Sequence, residues 1–206
     1  MKPLSRLLSS CLMIGFATPA LAASTTDLTV KGLIVPAACT PSLSNAGIVD
    51  HGKISVGDLK PAANTYLRPI TVQLMVDCDA KTLLALMPTD NRKESGTGFY
   101  NYGIGLVDGK KLGGYSLVYD KVLADGVTPR MLMSWDNGTT WQSADDSDMW
   151  DFFLSVGDAA GPRIPVPVQN LSMDLAVHTN INPAQNLPVA QEMNIDGSAT
   201  ITVHYL

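Results

Sequence analysis

Apolar and polar residues alternate with a strict period of two at the end of this chain. Ala199, Ile201, Val203 and Tyr205 share one face, and Ser198, Thr200, Thr202 and His204 share the other. That is the signature of a half-buried strand. The same period runs through Ile70, Val72, Leu74, Val76 and Cys78, and again through Leu171, Met173, Leu175 and Val177. Residues 28–35 are apolar and β-rich and end at Pro36, and Ile48 and Val49 make a short strand candidate. Residues 83–87 form a continuous apolar run closed by Pro88, which fits a fully buried strand. Asp108-Gly109 separates residues 104–107 from 112–119, and Asp136-Asn137-Gly138 separates 131–135 from 139–141. Both read as hairpins, since Asp, Asn and Gly tolerate left-handed backbone. Residues 152–156 add a strand, and 164–168 are extended but proline-rich, which places them at an edge. The pattern holds no sustained helical period. Short strands punctuated by Gly, Pro and Asn predict an all-β sandwich in one domain.

The N-terminus changes what this sandwich is for. Lys2 and Arg6 precede a short apolar core that ends at Ala20-Leu21-Ala22, the form of a secretory signal over residues 1–22. That core is too short for the roughly 20 residues that span a bilayer. The exported chain is then expected to be residues 23–206, delivered to the periplasm. Loss of Lys2 and Arg6 takes the formal charge from −5 to −7 with no basic run left, which argues against nucleic acid as a partner. Cys11 leaves with the signal. Cys39 and Cys78 remain as an even pair in an exported protein, and a disulfide between them is expected.

The candidate chemistry is sparse. His51, His178 and His204 are far apart in sequence and read as surface histidines. Asp145, Asp146, Asp148 and Asp151 crowd one stretch, without the ligand spacing of a dedicated calcium loop, and read as a solvated acidic turn. No nucleophile–base or paired-carboxylate arrangement emerges, so an enzyme, a cofactor and a metal are not expected. Ser134-x-Asp136-x-Gly138-x-Thr140-Trp141 resembles the Asp-box hairpin of sialidases and other glycan-active β-propellers. Its roles are those of a self-contained turn: the Asp accepts backbone donors, the Gly takes the strained position and the Trp packs beneath. One copy does not make a propeller. Trp135 and Trp141, if exposed together, are the candidates for stacking on a host glycan.

Two regions together resemble bacterial chaperone–usher fimbrial subunits (pilins). One is Val30-Lys31-Gly32-Leu33-Ile34-Val35-Pro36-Ala37-Ala38-Cys39 with Cys78 on the next long strand, and the other is the terminal strand with penultimate Tyr205. Ala38-Cys39-Thr40-Pro41 with Asn45-Ala46-Gly47, and Thr89-Asp90-Asn91-Arg92, are similar to the fimbrial-like group that includes beta-fimbria major subunits. Residues 93–165 match loosely and are expected to be an insertion carrying a β-hairpin. The resemblance implies an immunoglobulin-like, pilin-type sandwich that lacks its last strand. It implies donor-strand complementation, in which a strand from another chain fills the vacant place. Ala199, Ile201, Val203 and Tyr205 would line the acceptor groove, and Leu28 and Val30 would be donor-strand candidates. A periplasmic chaperone gripping the Leu206 carboxylate, an outer-membrane usher and neighbouring subunits are the implied partners, with a cell-surface fimbrium as the destination. A self-contained carbohydrate-binding or adhesin-like module is the other reading.

Overall fold

The computed structural model describes residues 29–30, 38–98 and 101–206. The expected signal over residues 1–22 and the donor candidate Leu28 lie outside the described residues. Contacts divide the chain into residues 1–34 and residues 35–206. Val30 belongs to the first unit, where its side chain is exposed. The second unit holds the fold.

Fourteen strands are described in that unit. They are β1 (Cys39–Leu43), β2 (Thr65–Tyr66), β3 (Ile70–Thr82), β4 (Leu84–Asp90), β5 (Tyr102–Gly103), β6 (Leu106–Val107) and β7 (Lys110–Lys111). They continue with β8 (Gly113–Ala124), β9 (Arg130–Ser134), β10 (Gln142–Ser143), β11 (Asp148–Met149), β12 (Phe153–Gly157), β13 (Val168–Ile181) and β14 (Ala199–Tyr205). One antiparallel sheet runs β1-β3-β13-β8-β11, with β2 on β13 and β5 on β8. The other runs β10-β9-β12-β4-β14. Their inward side chains form one core, in which Leu74, Val76, Met173 and Leu175 from the first sheet meet Leu84, Leu86, Leu154 and Val156 from the second. This is the all-β sandwich that the alternation predicts. The two-residue period of β3 and β13 is realised in full: Val72, Leu74, Val76 and Cys78 are buried, as are Leu171, Met173, Leu175 and Val177. Cys39 and Cys78 are bonded, and they face each other directly in the β1–β3 register.

Several elements differ from the sequence pattern, each for a local reason. Pro88 does not close the apolar run; β4 continues through it to Asp90. Asn91 N–H donates to the Ser198 carbonyl and Leu206 N–H to that of Leu83, so odd-numbered residues of β4 bond toward β14. The Pro88 nitrogen therefore faces the other way, where the pairing with β12 has already ended at Leu86. β1 forms where the alternation predicts no strand. It is an edge strand, so Pro41 needs no donor on its outer side. Ile48 and Val49 form no strand, because Asn45, Ala46 and Gly47 all take positive φ and turn the chain out of the sheet. Asp108 and Gly109 do form a hairpin turn, with φ of 50° and 71°, but it joins only the two-residue strands β6 and β7. The long run after it, β8, pairs instead with β13. Residues 93–165 are thus woven into both sheets, with β8 between β13 and β11 and β12 between β9 and β4. Among the described residues no helix is long and apolar enough to cross a membrane.

Candidate functional site

The site is built at the edge where β14 and β1 end their two sheets. Among the described residues β14 pairs with β4 alone. Its even-numbered residues bond to β4, as Ser198 and Leu206 do. The backbone N–H and C=O groups of Ala199, Ile201, Val203 and Tyr205 therefore point toward the open side. These are the residues whose side chains turn inward: Ala199, Ile201 and Val203 are half-buried and packed against the core. A strand edge with unpaired backbone groups and apolar side chains on one face is a template for another strand.

Next to that edge lies an open groove of about 270 Å³. Ala199, Ile201 and Ile195 form one wall, and Leu43, Gly47 and Val49 form the other. The floor is the inner face of the first sheet, where Val72, Leu117, Leu175 and Val177 emerge. Among its few polar members His51 and Thr179 satisfy each other, with Nε2 and Oγ1 2.9 Å apart. Partial burial lowers the His51 pKa, against a smaller upward pull from Asp50. Tyr205 does not line the groove; its hydroxyl accepts the Cys39 backbone N–H at 2.9 Å and so ties β14 to β1. Of the four residues named as acceptor candidates, Ala199 and Ile201 line this groove, Val203 packs on the core, and Tyr205 lies outside it, bonded to Cys39.

The other wall-forming loop is pinned by the turn that follows β4. Asn91 Nδ2 donates to Ser198 Oγ and Thr200 Oγ1, both at 3.0 Å. Arg92 grips Asp196 with two bonds of 3.0 and 3.1 Å, which raises the Arg92 pKa and lowers that of Asp196. Asp90 accepts the Arg92 and Gly103 backbone N–H groups and folds the turn back on itself. The Thr89-Asp90-Asn91-Arg92 signature thus holds the approach to β14. Beneath it Tyr102 and Tyr115 stack at 5.0 Å, and burial pushes both hydroxyls far above the ordinary tyrosine range. At Gly197 the loop drops so close to the floor that a Cβ would stand 3.0 Å from the Tyr115 ring.

The Asp-box hairpin is a separate, self-contained structure. Asp136 accepts from Ser134 Oγ, from the Thr140 backbone N–H and from Thr140 Oγ1, at 2.7, 2.8 and 2.7 Å. Asn137 and Gly138 take the left-handed positions. Trp141 is half-buried, and its indole N–H is used internally, donating to the Gly138 carbonyl at 3.0 Å. Trp135 is 52% exposed and leans on Phe152, with ring centroids 4.8 Å apart. The structure does not bring the two indoles into one exposed platform. The bonds to Asp136, the Thr140 backbone N–H foremost, hold its pKa at about 2. A depressed carboxylate contributes stability above its unfolded pKa of about 3.9 and loses it as pH falls through the folded value. The Asp136 carboxyl carbon, followed by NMR, is therefore expected to titrate near pH 2. The Thr140 amide should shift with it. A midpoint at the ordinary carboxylate value would contradict this geometry.

His178 is exposed and His204 stacks on Phe153 at 4.6 Å. Lys93 pairs with Asp151 at 3.1 Å, and among the described residues no three His, Cys, Asp or Glu side chains converge to hold a metal.

A family model described as a protein of unknown function (DUF1120) matches residues 28–105. That stretch carries both cysteines, the Leu43–Val49 wall and the Asp90-Asn91-Arg92 turn. Over nearly its whole length the chain is similar to two proteins of Escherichia coli K12. It is 27% identical over 231 aligned residues to the uncharacterized protein YhcF, covering 93% of this chain and 94% of YhcF. It is 25% identical over 238 aligned residues to protein GltF, covering 93% and 92%.

Proposed function

We propose that this chain is an exported, non-enzymatic, fimbrial-like structural subunit that accepts a β-strand from another chain along β14. The observation that carries the reading is the open edge of β14. Ala199 and Ile201 have backbone groups that face outward and side chains that line the groove, and Val203, between them and Tyr205, packs on the core. Strand addition uses both features at once: the ladder gives affinity and the groove gives selectivity through alternate side chains. The resemblance in the Ala-Ala-Cys and terminal-strand regions supports the same reading. It supplies the partners: a periplasmic chaperone, an outer-membrane usher and neighbouring subunits. A strand given head-to-tail propagates into a fibre rather than closing a dimer. The chain would act in the periplasm and then in a surface fimbrium.

The test uses the exported chain purified from the periplasm, unfolded in denaturant and refolded with or without a seven-residue peptide of alternating Val and Thr. With the peptide, refolding yield should rise several-fold, and the Ile201 and Val203 amide protons should become protected from exchange. A monomer that refolds reversibly without peptide, with those two amides already protected by its own residues 23–37, would overturn the proposal.

A further inference from the structure

The groove does not end where β14 begins. A second compartment of about 510 Å³ adjoins it, and Val49, His51 and Ile195 line both. Along one wall the lining passes from Leu43 and Gly47 through Val49 and His51 to Lys53 and Val56. Along the other it passes from Ile201 and Ala199 through Ile195 to Met193 and Gln191. The order along both walls is the same, so the two spaces form one channel. It runs from Ile201 past the start of β14 to Gln191.

The two halves differ in chemistry. The first is lined mainly by apolar side chains, with the mutually bonded His51 and Thr179, Ser198 and Tyr115 as its polar members. The second keeps an apolar floor of Leu59, Leu112 and Ile181, but its rim carries Asp50, Lys53, Gln191, Glu192 and Asn194. Among the described residues its lining offers no free strand edge, since Ile181 at the end of β13 is already paired with β2 and β8, so a polypeptide lying there gains no ladder. Its backbone groups need side-chain partners, which this rim supplies. The wall formed by residues 191–195 is anchored on both sides. Gln191 Nε2 donates to Asp108 Oδ2 at 2.6 Å, while Asp196 is held by Arg92 and by the Ile104 carbonyl at 3.0 Å.

We infer that the occupant of this channel is an extended segment of another chain that is longer than the edge it pairs with. Its alternating apolar part bonds along β14. A polar, charged continuation passes Gly197 and lies in the second compartment, where Lys53 and Glu192 on opposite walls select it. This rests on the strand-acceptor reading above.

Three synthetic peptides test it on the full exported chain: the seven-residue Val/Thr strand alone, and the same strand extended by Lys-Thr-Asp-Ser at its N-terminus or at its C-terminus. One extended peptide should dissociate at least tenfold more slowly than the short one, and the end that helps reports the strand's direction. The double substitution K53A/E192A should abolish that gain while leaving the short peptide's dissociation rate unchanged. If the short peptide binds and both extended ones dissociate at its rate, the inference fails and the acceptor reading stands. If the gain survives K53A/E192A, the second compartment is not the reader and the inference fails. If no peptide binds, the acceptor reading fails and takes the inference with it.

Discussion

Replacing both Cys39 and Cys78 by alanine is expected to cost the fold about 4 kcal/mol, the chain-entropy value for closing a loop of this length, with 39 residues separating the cysteines. Native domains hold only about 5–15 kcal/mol in total, so this removes a large share of the stability. The location sharpens the effect. Cys39 opens a strand that pairs with β3 at one end of the first sheet, and its backbone N–H holds Tyr205. Without the bond to Cys78, β1 is free to fray from that end, and the tie between Cys39 and Tyr205 loosens with it. Urea unfolding of the oxidised wild type and of C39A/C78A should show a lowered midpoint at nearly equal slope. Adding reductant to the wild type should reproduce the variant's midpoint. A loss below about 1 kcal/mol would mean that β1 stands without its covalent tie.

The disulfide was legible because Cys78 continues the inward face of β3 and one other cysteine, Cys39, lies outside the expected signal. The long half-buried strands were legible for the same reason. In β3, β13 and β14 one face is core and the other solvent, so the two-residue period is written directly in the residue types. β1 was not legible. A five-residue edge strand containing Pro41 and Ser42 needs neither an apolar face nor a full set of donors, so nothing in its composition separates it from a turn. The end of β4 was misread because a proline stops a strand only where its nitrogen faces a partner. Which side Pro88 faces is a matter of register, invisible before the pairing with β14 is known.

The candidate site divides along the same line. The β14 wall could be named from sequence, since Ala199 and Ile201 belong to a periodic strand. The opposite wall, and the continuation of the β14 wall ahead of Ala199, could not. Val49, His51 and Lys53 sit in an irregular loop, and Ile195, Met193 and Gln191 in another, more than a hundred residues away. Loops carry no period, and their meeting is fixed by contacts such as Arg92 with Asp196 that link distant residues. Thr89-Asp90-Asn91-Arg92 did signal something: residues able to accept and donate in a tight turn stand directly after an apolar strand. Their targets, Asp196, Ser198 and Thr200, became visible only in the fold.

The substitution Ile201→Glu is expected to abolish strand acceptance by about a hundredfold while leaving the disulfide and the β-sheet signature intact. Ile201 is half-buried at the groove's lip and is Cα partner to Pro88 in the β14–β4 register. In the vacant protein a glutamate there can turn its carboxylate toward water, so folding tolerates it. Once a strand is seated, the same carboxylate is enclosed among Leu43, Val72 and the incoming apolar side chains, with no cation of the described groove lining to pair it. An unpaired charge in such a place costs several kcal/mol even after relaxation, and about 2.7 kcal/mol suffices for a hundredfold loss. The control is one residue away. Thr202 is exposed on the outer face of β14, and its backbone groups bond toward β4. T202E adds the same charge on the same strand, but on the side that strand addition does not touch, and should keep peptide affinity within about twofold. Peptide titration of the two variants, with urea midpoints measured beside it, separates the outcomes. Equal loss in both would mean that net charge, not the groove, governs binding. Equal retention in both would mean that the incoming strand does not lie over Ile201.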